Sequence, residues 1–162
     1  MRKSGILCHL SSLPNPYGIG SYGQSAFDFI DFLVETKQSL WQILPLGPTS
    51  FGNSPYQSFS VFAHNPYFID IDLLIVEGLL DAKETKLAKK RKKKVDYGHL
   101  YETRMPLLRM AFSRFEPTEE YQTFILKEAS WLDDYALFMA IKKAVKDQSW
   151  LYWDEDIRMR QP

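Results

Sequence analysis

The stretch 39-SLWQILPLGP-48 constrains the fold more than any other part of the chain. It is almost continuously apolar over the length of one strand. A strand apolar on both faces belongs in a parallel sheet covered by helices. A second apolar run, 5-GILCHL-10, precedes it and ends in the Ser-, Pro- and Gly-rich loop 11-SSLPNPYGIG-20. Between the two runs, Ala26, Phe29, Ile30 and Leu33 fall at i, i+3, i+4, i+7. That spacing predicts a helix running to about Thr36. Ser21 and Gln24 have the spacing of a capping box at its start. Strand, helix, strand is a βαβ unit with a right-handed crossover. Ligands in such units gather at the C-terminal ends of the strands, here the 11–20 and 47–67 loops.

The second half reads differently. Residues 69–80 predict a short helix, and no convincing strand follows. Lysines crowd 83-KETKLAKKRKKK-94. No aromatic residue interleaves with them, and Lys+Arg equal Asp+Glu at 20 each, so the run reads as a solvated helix end and linker. Three helical patterns follow Val95. The first carries Tyr101, Met105, Leu108, Phe112 and Phe115 on one stripe, with Pro106 expected to kink it or lie near its start. Thr118 caps the second, with Glu119 and Glu120 in its first turn. Ser130 and Asp133 open the third, whose stripe is Trp131, Tyr135, Phe138 and Ile141. The ending 149-SWLYWDEDIRMRQP-162 has no stop signal and reads as interrupted.

Composition excludes several classes. A chain of 162 residues, 45% hydrophobic and 25% charged, is that of a globular protein with a sizeable core. No stretch reaches the ~18 apolar residues of a membrane span, and neither a nucleic-acid nor a membrane partner is expected. The reading is a cytoplasmic protein. The single Cys8 permits no intramolecular disulfide and reads as a small buried hydrophobe. His9, His64 and His99 lack metal-ligand spacing, so no metal and no cofactor is expected. The fragment 18-GIGSYG-23 follows its strand too distantly for a dinucleotide loop. No carboxylate pair stands out: Asp133 and Asp134 point about 100° apart on a helix. Asp70 and Asp72 fit either one face of an extended segment or a helix start. From the residues alone, the chain is a βαβ platform with aromatic loops, a helical appendage and no identifiable catalytic group.

Three long stretches say more. The runs 5-GILCHLSSLPNPYGIGSYG-23, 39-SLWQILPLGPTSFGNSPYQSFSVFAHNPYFID-70 and 131-WLDDYALFMAIK-142 closely resemble the N-terminal part of the 4-α-glucanotransferases (amylomaltases). The likeness extends through essentially the whole chain in the same order. It implies an α/β fold in which residues 1–79 supply the first two strands, 5–10 and 39–46, of an incomplete (β/α)8 barrel. It further implies that residues 80–162 form an inserted helical subdomain. The implied activity moves α-1,4-glucan segments between maltooligosaccharides by a retaining double displacement on two carboxyl groups. No motif for the catalytic acids occurs in this chain, which alone is expected to be inactive.

The resemblance carries over a sugar-contacting loop. Tyr56 matches a tyrosine that packs against the sugar at the cleavage site, Ser54 a nearby polar contact, and Gln57 lies in the same motif. Phe51 stands where some relatives carry a tyrosine of a second glucan groove. Tyr97 and Tyr101 are candidates for the same surface. Two strands cannot close a barrel, so self-association of the chain is a further expectation. Rival readings are a glucan-binding module without turnover and a helical interaction module built on residues 95–145.

Overall fold

The computed structural model describes residues 2–90 and 93–161, leaving out the side chain of Phe51. The chain divides into two compact units, Met1–Glu116 and Pro117–Pro162. In the first, β1 (Gly5–Leu7) and β2 (Leu40–Gln42) pair in parallel, with Ile6 opposite Trp41, on either side of α1 (Gln24–Glu35). The βαβ reading therefore holds. Both strands are shorter than the apolar runs predict, because Leu10 already starts a 3-10 turn (Leu10–Ser12) and pairing ends at Gln42. Two further bonds tie the strand ends together: Cys8 N–H donates to the Gln42 carbonyl at 3.0 Å, and Trp41 Nε1 to the Cys8 carbonyl at 2.7 Å. Cys8 is half-buried against the core. Contrary to expectation, the sheet is not covered on both faces: Leu7, Leu40 and Ile43 remain exposed.

Helix α1 starts differently from the capping-box prediction. Gly23 is its N-cap and no side chain bonds there. The Ser21 hydroxyl instead donates to Asp70 at 2.5 Å, a long-range partner that outcompetes the local one. Gly23 is needed because a Cβ there would collide with the Asp70 carboxylate. Ala26 and Leu33 are buried and Phe29 packs against the core, whereas Ile30 is exposed.

Helix α2 (Ile71–Val76) follows a turn at Pro66–Phe68, and Asp70 caps it by accepting from Leu73 N–H at 3.0 Å. Helix α3 (Tyr97–Ser113) packs within this first unit. Its buried residues are Leu100, Arg104, Leu107 and Ala111, not the predicted stripe. Tyr101 is 63% exposed and Phe112 70%. The helix is thus rolled by one residue from its apolar pattern, and Pro106 lies well inside it. Leu100 belongs to a core with Leu10, Leu13, Ile19, Ala26 and Phe68. Leu107 and Ala111 belong to a second core with Tyr17, Ile71, Leu80 and Ala88. Arg104 falls between them on the same face.

The described part of the lysine run is not a helix end. A 3-10 turn (Lys86–Ala88) buries Ala88, and Lys90 N–H donates to the Pro16 carbonyl at 2.9 Å. Just before it, Glu84 takes both terminal nitrogens of Arg114 at 2.6 and 2.8 Å. That pairing, with the Asp81 amide, holds its carboxyl down to about 2.

The second unit holds α4 (Glu119–Lys127), α5 (Leu132–Ala144) and the short α6 (Glu155–Arg158). Thr118 caps α4 as predicted, accepting from Tyr121 N–H at 3.1 Å. Ser130 does not open α5; Trp131 stands at its N-cap without a side-chain bond, its indole donating instead to Glu128 at 2.7 Å. Trp131, Tyr135, Phe138 and Ile141 are half-buried, and Phe138 meets the buried Trp153 with ring centroids 5.3 Å apart. Among the described residues, no helix is long and apolar enough to cross a membrane.

Candidate functional site

The loop after β2 is built from local polar bonds. Thr49 and Ser58 form an antiparallel bridge that closes the excursion between them, and Ser50 N–H donates to the Gln57 carbonyl at 3.2 Å. The chain reverses at Gly52 and Asn53, with φ of 80° and 56°. Glycine and asparagine are the residues that tolerate this left-handed conformation. Ser54 then accepts from Tyr56 N–H at 3.3 Å through its hydroxyl and from Gln57 N–H at 3.2 Å through its carbonyl. Ser60 accepts from the amides of Phe62 and Ala63, both at 3.1 Å. Asn65 returns the segment to β2 by donating its N–H to the Leu46 carbonyl at 2.8 Å.

Of the predicted site residues, Ser54 is half-buried and serves the loop's own turn, while Tyr56 and Gln57 point to solvent. Tyr56 is 72% exposed, which leaves its ring free to receive a ligand. The side chain of Phe51 lies outside the described residues. The backbone at this position starts the Phe51–Asn53 turn.

A cavity of about 160 Å³ opens at the C-terminal ends of the two strands, where ligands were expected. Its lining includes His9, Ser12, Thr49, Pro55, Asn65 and Tyr97. Tyr56 is not among the lining residues, although its neighbour Pro55 is. His9 Nδ1 is buried and has no hydrogen-bond partner in the described structure. Burial lowers the His9 pKa, so the ring is neutral at pH 7, and it meets Phe68 edge-on at 5.6 Å. Burial likewise raises the Tyr97 phenol. The chemistry of this lining is hydrogen bonding beside ring faces, with no charged group.

His9 and Asn65 escape a search for motifs because each stands alone. The signal that finds them is position, one just past each strand end. Tyr22 and His64 form a second pair, 3.0 Å from hydroxyl to Nδ1, on the exposed side of the same loop.

Asp70 and Asp72 are committed to structural partners. Asp70 accepts from Ser21 and, at 3.4 Å, from Asn15 Nδ2 while capping α2, so the helix-start reading of the Asp70–Asp72 segment holds. Asp72 accepts from the Tyr17 hydroxyl at 2.6 Å. Burial and that bond push the Tyr17 phenol up to about 12. In the second unit, Asp134 pairs with Arg160 at 2.8 Å. Among the described residues, no cluster of His, Cys, Asp or Glu could hold a metal ion.

The model of the 4-alpha-glucanotransferase family matches residues 8–162. This chain belongs to that family. A 4-alpha-glucanotransferase of Streptococcus pneumoniae is 50% identical over 98% of the chain, and one of Thermus thermophilus 45% identical over 99%. In each case the match covers 33% of the relative. The chain thus spans about a third of the length of the curated relatives it matches. An amylomaltase from Streptococcus agalactiae in complex with acarbose superposes with a TM-score of 0.90. It is 42% identical, and the match covers 100% of this chain and 34% of that one.

Proposed function

We propose that this chain forms the sugar-gripping N-terminal part of a 4-alpha-glucanotransferase, which moves α-1,4-glucan segments between maltooligosaccharides. In this reading, β1 and β2 are the first strands of a (β/α)8 barrel, and the helical segment after residue 80, whose α3 packs within the first unit, is inserted before the third strand. The observation that carries it is the combination, at the strand C-terminal ends, of a hexose-sized cavity lined by polar and ring side chains and a proline-held loop offering Tyr56. A tyrosine ring presents a flat face to the C–H face of a pyranose, and its hydroxyl can hydrogen-bond. A relative whose complex holds acarbose supports the same ligand class.

Double displacement needs a carboxylate nucleophile and a second carboxyl acting as acid, then base, about 5 Å apart. Asp70, Asp72, Glu84 and Asp134 are each bound into structural pairs. On the family resemblance, the catalytic acids lie at later barrel strands, beyond the third of the relatives that this chain matches. Alone, the chain holds substrate without turning it over.

Titration calorimetry with maltotetraose tests the reading. Binding should weaken about tenfold on Tyr56→Ala, the worth of one aromatic contact. Indifference to that change would favour the helical interaction module instead. The 162-residue chain should release no glucose from maltotriose, and turnover by a purified sample would overturn the placement of the acids.

A further inference from the structure

The Ser11–Ser12 turn has a cavity on each side. One is the hexose-sized cavity above; the other is an open groove of about 690 Å³, lined among others by Ser11, Ser12, Asn15, Gly18, Lys93 and Lys94. That volume is in the range of small-molecule sites. Lys89 and Lys90 meet the 14–18 loop beside this groove. Lys90 N–H bonds the Pro16 carbonyl at 2.9 Å, Lys90 Nζ pairs with Asp96 at 3.1 Å, and Lys89 lies 5.7 Å over the Tyr17 ring. Gly18, at φ 83°, lets the two backbones meet, since a Cβ there would stand 3.2 Å from the Lys90 carbonyl. Lys89 and Lys90 are thus fixed against the 14–18 loop. Lys93 and Lys94 have no carboxylate partner among the described residues and face the groove. Among the described residues, the hydroxyls of Ser11 and Ser12 also make no hydrogen bond.

We infer that this groove binds the phosphoryl group of a sugar monophosphate, a reading that rests on the carbohydrate assignment above. Two ammonium groups and two serine hydroxyls supply the donors a phosphate monoester needs. Because Ser11 and Ser12 line both cavities, a sugar ring on one side of the turn lies next to cations on the other. A nucleic acid fits less well: the groove's lining has no aromatic ring for a base to stack on.

Amide NMR on the 162-residue chain tests this with glucose 6-phosphate, glucose and inorganic phosphate as separate probes. Glucose 6-phosphate should shift the Ser11, Ser12 and Lys94 amides and bind about tenfold more tightly than either other probe. The Lys93→Gln/Lys94→Gln double variant, exposed and so still folded, should abolish that advantage. Raising salt from about 50 to about 300 mM should weaken it. Equal binding of glucose 6-phosphate and inorganic phosphate, indifference to the double variant, or displacement by a random oligonucleotide would each overturn the proposal. Maltotetraose on the same samples separates the two readings. Its binding should depend on Tyr56 and not on the lysines. Failure of maltotetraose to bind, with lysine-dependent glucose 6-phosphate binding intact, would sink the glucan reading and leave this one standing.

Discussion

Arg104 is 1% exposed and donates through one terminal nitrogen to the carbonyls of Tyr67, at 2.7 Å, and Ile69, at 2.8 Å. Its Nε and Nη1 have no partner among the described residues. Burial pulls its pKa down to about 10, against the pull of Asp70, Tyr17 and Asp72, and it stays charged at pH 7. The fork therefore fixes the backbone between the loop and α2, while two unpaired donors subtract from its worth. Removing it leaves two backbone carbonyls without their donor, at about 1–3 kcal/mol each. Arg104→Met should lower unfolding stability in urea by about 3 kcal/mol. A neutral Met variant would mean that the two orphan nitrogens cancel the two bonds. Tyr17 gives a pH signature at the same scale. Its folded pKa is raised to about 12 from the ordinary 10, so its contribution is complete below pH 10 and lost as pH rises towards 12. Equilibrium unfolding followed from pH 9 to about 12 should show that decline in the parent and lack it in Tyr17→Phe. An unchanged slope in the variant would assign the decline to another group.

The elements differ in what sets their ends. Helix α4 starts at a local signal, the Thr118 hydroxyl, and Thr118→Ala should cost about 1 kcal/mol. The loss should appear in the transition of the second unit, measured by amide exchange, and leave α1 unaffected. Helix α1 was legible in length and position from its apolar spacing, but its cap was not, because Asp70 claims Ser21 across 49 residues of sequence. Helix α3 shows the same limit more sharply. Its apolar residues place the stripe at 101, 105, 108 and 112, yet the helix turns to bury Arg104, whose partners are carbonyls that no side-chain pattern records. The βαβ order and the parallel pairing were legible because they follow from apolar runs of strand length around one helical period.

For the whole molecule, the sheet has two strands and open faces. Leu40 is 53% exposed, and Phe27, Phe32 and Val34 of α1 are also exposed. Apolar surface of this kind seeks cover. The chain alone should associate with itself, giving a concentration-dependent sedimentation coefficient. Leu7→Lys with Leu40→Lys should shift it towards the monomer. A monomer at all concentrations in the parent would rule the association out.

The sequence by itself determined the order of elements, the parallel strand pair, and the family resemblance that the matched relatives bear out. These are local or contiguous properties, written in neighbouring residues. Only the tertiary structure decided that Ser21 serves Asp70, that α3 buries a charge, that His9 and Asn65 share a cavity, and that Lys89 and Lys90 meet the 14–18 loop. Each depends on a hydrogen bond or contact between residues distant in the chain, whose free energy exceeds the local preference that a sequence pattern reports.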